Sequence, residues 1–159
     1  MSKYKFSKTS KKRLGSCHHD IQFVMNMAIE LSPMDFGIAE GHRSVEVQQE
    51  YYSRGRDEDG NIINEDEVIT YIDGVTKKGK HNYKPSEAVD IYAWVNDKAS
   101  WKAKDMIFLA GFISGIAEML FKQGIISSKF RWGGNWDQDG EILSDQDFDD
   151  MPHFEIIDN

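Results

Sequence analysis

Between His19 and Leu31 the apolar residues Ile21, Val24, Met25, Ala28, Ile29 and Leu31 recur at steps of three and four. That spacing lines one face of a helix, and Pro33 closes it because the residue before a proline is pushed out of the helical region. Phe36 to Ala39 reads as a short strand. A second helix is predicted over Val45 to Arg54, with Ser44 as its N-cap and Gly55 as its stop. Arg56 to Glu67 is polar, acidic and glycine-containing, which predicts an exposed loop or hairpin. Ala88 to Trp94 is β-branched and aromatic, the signature of a strand. Ser100 to Lys122 predicts the second long helix, ended by Gly124, and Phe130–Trp132 and His153–Ile157 predict two more strands. This mixed order predicts an α+β fold, a small antiparallel sheet packed with two to three helices. The most apolar run, Met106 to Phe121, contains Glu118 and two glycines. It falls short of the roughly 20 residues that span a bilayer, so a buried core helix is expected.

Composition narrows the function classes. The chain has 159 residues, a length that fits one domain over 1–159, with residues 1–13 expected to be a loosely ordered basic end. Lys11-Lys12-Arg13 reads as a solvated terminus, with a small anion patch as the alternative. The balance of 19 basic against 27 acidic residues gives a net charge of −8. A chain of this acidity is a poor match for phosphate backbones, whose affinity rests on clustered Lys and Arg, and has no electrostatic pull toward an anionic membrane, so neither nucleic acid nor membrane is an expected partner. Cys17 is the single cysteine, which excludes an internal disulfide and a cysteine-rich zinc module. No secretory signal follows the basic start, so synthesis in a cytoplasm without export is expected. Any metal site must use His, Asp and Glu.

Of five histidines, His18 and His19 fall at a helix start and suit a capping role, and His42 lies in a turn. His81 and His153 differ, because each has acidic company. Asp90 interrupts the apolar strand, where a carboxylate is costly unless paired or bound to a metal. Period two places Ala88, Asp90 and Tyr92 on one face and Val89, Ile91 and Ala93 on the other. The turn-rich segment after His81 can fold its imidazole over the first face. A His–Asp pair alone is more often structural. The C-terminal Asp150-Met151-Pro152-His153 changes that weighting. Pro152 biases the segment toward polyproline geometry, whose three-residue turn points Asp150 and His153 the same way. Zinc hydrolases use three protein ligands, an open position and a carboxylate that is not a ligand. His81, Asp90 and His153 fit as ligands and Asp150 as the base. Arg43, in a turn before a helix, could hold a substrate carboxylate or developing oxyanion, or merely form a salt bridge.

Four blocks now carry a resemblance: Ser32 to Ser44, Gly79 to Asp90, Arg131 to Asp137, and Met151 to Glu155. In this order they make the chain similar to the phage and bacterial L-alanyl-D-glutamate peptidases, the endolysin branch of the zinc D-Ala-D-Ala carboxypeptidase and dipeptidase superfamily. The resemblance spans about Leu14 to Ile157. It implies the superfamily's DD-peptidase (hedgehog-like) fold and one catalytic zinc on His81, Asp90 and His153. It also implies Asp150 as catalytic acid–base and Arg43 near the scissile carbonyl. The implied reaction is hydrolysis of the L-Ala–D-Glu bond of peptidoglycan stem peptides by a monomeric endolysin. Such an enzyme waits in the host cytoplasm and acts on the wall once the membrane is permeabilised. The step from His81 to Asp90, nine residues, is longer than in many relatives, and Gly79 stands where the family often has serine.

Asn135, Asp137, Asp139, Gly140 and Ile142 match a calcium loop, with Glu141 and Asp145 as further oxygen donors, but Gln146 stands where the bidentate carboxylate belongs. An acidic surface turn is the other reading; some relatives are regulated by calcium in this region. Two further functions stay open. One is a D-Ala-D-Ala carboxypeptidase or dipeptidase of the same superfamily. The other is a non-catalytic, metal-stabilised module that grips peptidoglycan.

Overall fold

The computed structural model describes residues 3–139 and 149–157. Its helices are α1 (Lys8–Leu14), α2 (His19–Leu31), α3 (Val45–Ser53) and α4 (Ala103–Lys122). Its strands are β1 (Asp35–Glu40), β2 (Ala88–Val95), β3 (Lys98–Ser100), β4 (Lys129–Trp132) and β5 (His153–Ile157). They form one antiparallel sheet in the order β1-β2-β5-β4, with the short β3 pairing β2 beyond β5. The α+β expectation therefore holds. Short 3-10 turns at Glu65–Glu67 and Lys80–Asn82 punctuate the long connection from α3 to β2.

The apolar residues of β2, Val89, Ile91 and Ala93, are fully buried with Val24, Met25, Leu109 and Ile113 from α2 and α4. The alternate residues Asp90, Tyr92 and Trp94 are partly or largely exposed, so the opposite face of β2 is open. Helix α2 is tied to the far end of the chain by Asp20. Its buried carboxylate accepts hydrogen bonds from the backbone N–H groups of Ser127 (3.1 Å) and Ser128 (2.9 Å), between α4 and β4. Cys17 is buried and free, and burial pushes its thiol pKa up to about 12.

Two expectations need correction. Residues 8–14 are not a loose end but helix α1, capped by Ser7. Phe6, just before it, packs edge-on against Phe36 with ring centroids 5.3 Å apart. The reason is an exposed sheet edge. Along β1, the Ile38 N–H donates to Ser10 Oγ (3.1 Å) and the Ile38 carbonyl accepts from Arg13 Nη1 (3.0 Å), so α1 covers a strand edge whose backbone would otherwise be unpaired. Asp150 and His153 are related by a tight turn rather than a polyproline stretch. The His153 N–H donates to the Asp150 carbonyl at 3.0 Å, closing a four-residue loop that an extended segment could not make. The hairpin strand β3 was absent from the sequence reading. It is three residues of Lys-Ala-Ser with no apolar alternation.

Candidate metal centre and groove

Sheet register brings the site together. In the β2–β5 pair, Asp90 lies directly opposite His153. In the β1–β2 pair, a bulge between Ile38 and Glu40 shifts the register so that Glu40 faces Asp90. His81 arrives from the 3-10 turn, anchored where the Arg43 N–H donates to the His81 carbonyl (2.9 Å) and Asn82 Nδ2 donates to the Arg43 carbonyl (3.1 Å).

Three side-chain atoms converge: His81 Nε2, Asp90 Oδ1 and His153 Nδ1. The distances are 3.2 Å from His81 to Asp90, 3.0 Å from His153 to Asp90 and 3.2 Å between the two ring nitrogens. Their chemistry fits a cation. His81 Nδ1 lies 2.7 Å from the Gly41 carbonyl, and His153 Nε2 lies 3.0 Å from Glu155 Oε2. Both partners are acceptors, so each outer nitrogen carries the hydrogen. In neutral imidazoles each inner nitrogen then presents a lone pair. Two lone pairs and a carboxylate oxygen pointed at one another repel unless a positive charge lies between them. Tetrahedral zinc, with bonds of about 2.0–2.1 Å, separates its ligand atoms by about 3.4 Å, close to this triangle. The group can hold a metal ion.

The electrostatics agree. Burial opposes the charged form of Asp90, but the two histidines outweigh it and hold the carboxyl well below the usual carboxylate range. Burial likewise opposes protonation of His153, but its hydrogen bonds to Asp90 and Glu155 raise its pKa to about 10 in the metal-free protein.

Glu155 is the functional residue that sequence reasoning missed. It is buried, holds the outer nitrogen of His153, and is itself held by Arg131 Nη2 at 2.5 Å. The signal was present: His153 and Glu155 are two apart in a strand and share a face.

Asp150 lies beside this triangle on a backbone tied at both ends. Its N–H donates to the Gly133 carbonyl (2.9 Å), and the Gly133 N–H donates to the His153 carbonyl (2.8 Å). A Cβ at Gly133 would lie 2.4 Å from the Asp150 carbonyl oxygen, so only glycine permits this approach. Burial, then the negative charge of Asp90, raises the Asp150 pKa above the usual carboxylate value. Gly41 is required for a similar reason: a Cβ there would lie 2.3 Å from the Arg13 carbonyl oxygen, breaking the loop that presents its carbonyl to His81.

Arg43 is deeply committed to protein partners. Nε donates to Glu40 Oε1 (3.0 Å), Nη2 to Glu40 Oε2, and Nη1 to Gln48 Oε1 (2.9 Å), while Nη2 stands 3.8 Å from Asp90 Oδ2. Of the calcium-loop residues, Asn135, Asp137 and Asp139 follow β4, and Asp137 and Asp139 are exposed. Glu141 and Asp145 lie outside the described residues. A second histidine–carboxylate grouping, His18, His19 and Asp20, is accounted for by capping and by the Ser127–Ser128 contacts: His18 Nδ1 accepts from the Asp20 N–H.

The triangle of His81, Asp90 and His153 opens into a groove of about 1050 Å³ lined by Arg43, Tyr51, Trp101, Trp136 and Asp150 among others. The groove thus runs past a group that can hold a metal ion and past the carboxylate of Asp150. The chain is 25% identical over 138 residues to the L-alanyl-D-glutamate peptidase of Escherichia phage T5, covering 87% of this chain and 85% of that one. Its fold is similar to the crystal structure of the Serratia marcescens L-Ala D-Glu endopeptidase ChiX, with a TM-score of 0.65 and 19% identity, covering 98% of this chain and 92% of that chain. The family model described as phage L-alanyl-D-glutamate peptidase matches residues 1–157, and the chain belongs to that family.

Proposed function

We propose that this protein is a zinc-dependent endopeptidase that hydrolyses the L-Ala–D-Glu bond of peptidoglycan stem peptides, acting in phage lysis from the host cytoplasm once the membrane is opened. The observation that carries the reading is the convergence of His81, Asp90 and His153, both outer nitrogens held by acceptors, beside a carboxylate that is not a ligand. Zinc bound there would supply Lewis acidity, polarising a carbonyl and acidifying a water molecule. Asp150 is the acid–base group: it takes a proton from the attacking water and returns it to the leaving nitrogen as the C–N bond breaks. Its raised pKa suits both halves of that task. Arg43 has five N–H groups, of which three are used by Glu40 and Gln48. The remaining two, one on each terminal nitrogen, are donors for a substrate oxygen. Glu40 and Gln48 fix that guanidinium, and Glu155 fixes the His153 ring. Calcium, held by Asn135, Asp137 and Asp139 with Glu141 or Asp145, is proposed as a regulatory ligand. Calorimetry of zinc-loaded protein with no heat on adding calcium would end that part.

The deciding experiment is mass spectrometry of purified peptidoglycan after digestion, with chelator and with zinc restored. Fragments ending at L-Ala and beginning at D-Glu, lost with chelator and regained with zinc, are expected. Release of terminal D-Ala alone would move the assignment to the carboxypeptidase reading. An unchanged digest from zinc-loaded protein would favour a binding module.

A further inference from the structure

A second cavity, of about 810 Å³, adjoins the catalytic groove and shares Glu40, Tyr51, Asp90 and Trp101 with it. The two are arms of one cleft that crosses the metal triangle. Their charges differ. In the larger arm every cation has an acidic partner: Arg43 has Glu40, Arg54 has Glu50 at 3.9 Å, and Lys80 has Glu87 at 2.7 Å. The smaller arm is lined by Lys12 and Arg13 of α1, across from the Glu40 and Asp90 it shares with the larger one. Lys12 is exposed and Arg13 donates only to the Ile38 carbonyl, a neutral group. Neither has a carboxylate within ion-pair distance among the described residues, in a chain of net charge −8. Cations unneutralised beside a catalytic centre, where acids outnumber bases, are poised for an anion from outside the chain.

The substrate supplies one. Glutamate has two carboxyl groups, and only one can continue the peptide chain, so a free carboxylate lies a few bonds from the nitrogen released on cleavage. Resting on the peptidase reading above, we propose that the α1 arm is the leaving-group subsite and that Lys12, assisted by Arg13, binds the free carboxylate of the glutamate that follows the scissile bond. Helix α1 thus serves twice, covering the β1 edge with one side and presenting cations to the cleft with the other. Lys12 is a specificity-determining residue here and touches no reacting atom.

The test pairs a protein change with a substrate change. Zinc-loaded wild type, Lys12→Ala and Lys12→Arg are given an L-Ala–D-Glu peptide and its counterpart with that free carboxylate converted to the amide. Binding is read by calorimetry and cleavage by product analysis. With the acid, Lys12→Ala should bind and turn over (kcat/KM) about fivefold worse, the scale of a partly exposed ion pair, through KM rather than kcat. With the amide, wild type and Lys12→Ala should agree within about twofold, and Lys12→Arg should restore discrimination. A loss of equal size on both peptides, or no loss on either, overturns the assignment. If binding shows the Lys12-dependent discrimination but neither peptide is cut, Lys12 stands as a carboxylate-binding residue and the peptidase reading, with its leaving-group assignment, falls.

Discussion

At the scale of single residues, Asp150 and Glu155 are two carboxylates within one short stretch with different work. Asp150 has its pKa raised by burial and by Asp90, and no partner on the metal triangle claims it as a ligand-holder. Asp150→Asn is therefore expected to retain metal, measured by atomic absorption, while kcat falls by about 10²–10⁴. Glu155 holds the far nitrogen of His153 and is anchored by Arg131. Glu155→Gln is expected to weaken zinc affinity by about 10–100-fold, read by competition with a chromophoric chelator. Equal metal loss in the two variants would show that the carboxylates are not divided in this way. The split was half legible in the sequence. The Asp150-to-His153 spacing drew the eye to a base, whereas Glu155 was hidden in a run that reads as an ordinary strand. What identifies it is the 3.0 Å contact of its Oε2 with His153 Nε2, which a shared face of β5 permits but does not require.

At the scale of elements, segments with an apolar pattern of their own, down to the short strands β1, β4 and β5, were read correctly, and α1 and β3, which lack one, were not. Helix α2 and strand β2 carry their own apolar faces, so spacing alone located them. Helix α1, seven residues rich in lysine, has no such pattern; it exists because β1 offers backbone groups and Phe36 offers a ring. Phe6→Ala should accordingly cost about 3 kcal/mol in a urea titration, against almost nothing for a frayed end. Asp20 staples the start of α2 to the segment after α4. Burial works to raise its pKa, but the hydrogen bonds from Ser128 and Ser127 prevail and lower it. A lowered folded value means stability that is fully present above the unfolded pKa of about 4 and lost as pH falls through the folded one. Asp20→Ala should lose about 2 kcal/mol at neutral pH, with the gap to wild type narrowing on acidification below about pH 4. A gap independent of pH would assign the loss to packing instead.

At the scale of the whole molecule, the site is a meeting of three distant stretches of chain whose ligand atoms can hold a metal ion. Because the triangle exists only in the folded state, metal binding there stabilises the fold. Chelation should lower the melting temperature by roughly 5–10 °C, taking zinc at about a hundred times its dissociation constant and some 2–4 °C per kcal/mol for a chain of this length. An unmoved transition would mean that the site is not filled. Among the described residues no helix is long and apolar enough to cross a membrane. By itself the sequence determined the α+β class, most of the long elements, and the residue types available for a metal, because hydrophobic period and the lone cysteine are local properties of the chain. Tertiary structure decided the rest. The β2–β5 register sets Asp90 against His153, the β1 bulge sets Glu40 opposite Asp90, and α1 lays Lys12 and Arg13 along the cleft. Those juxtapositions depend on strand pairing and close approach between segments far apart in the chain, which no local pattern encodes.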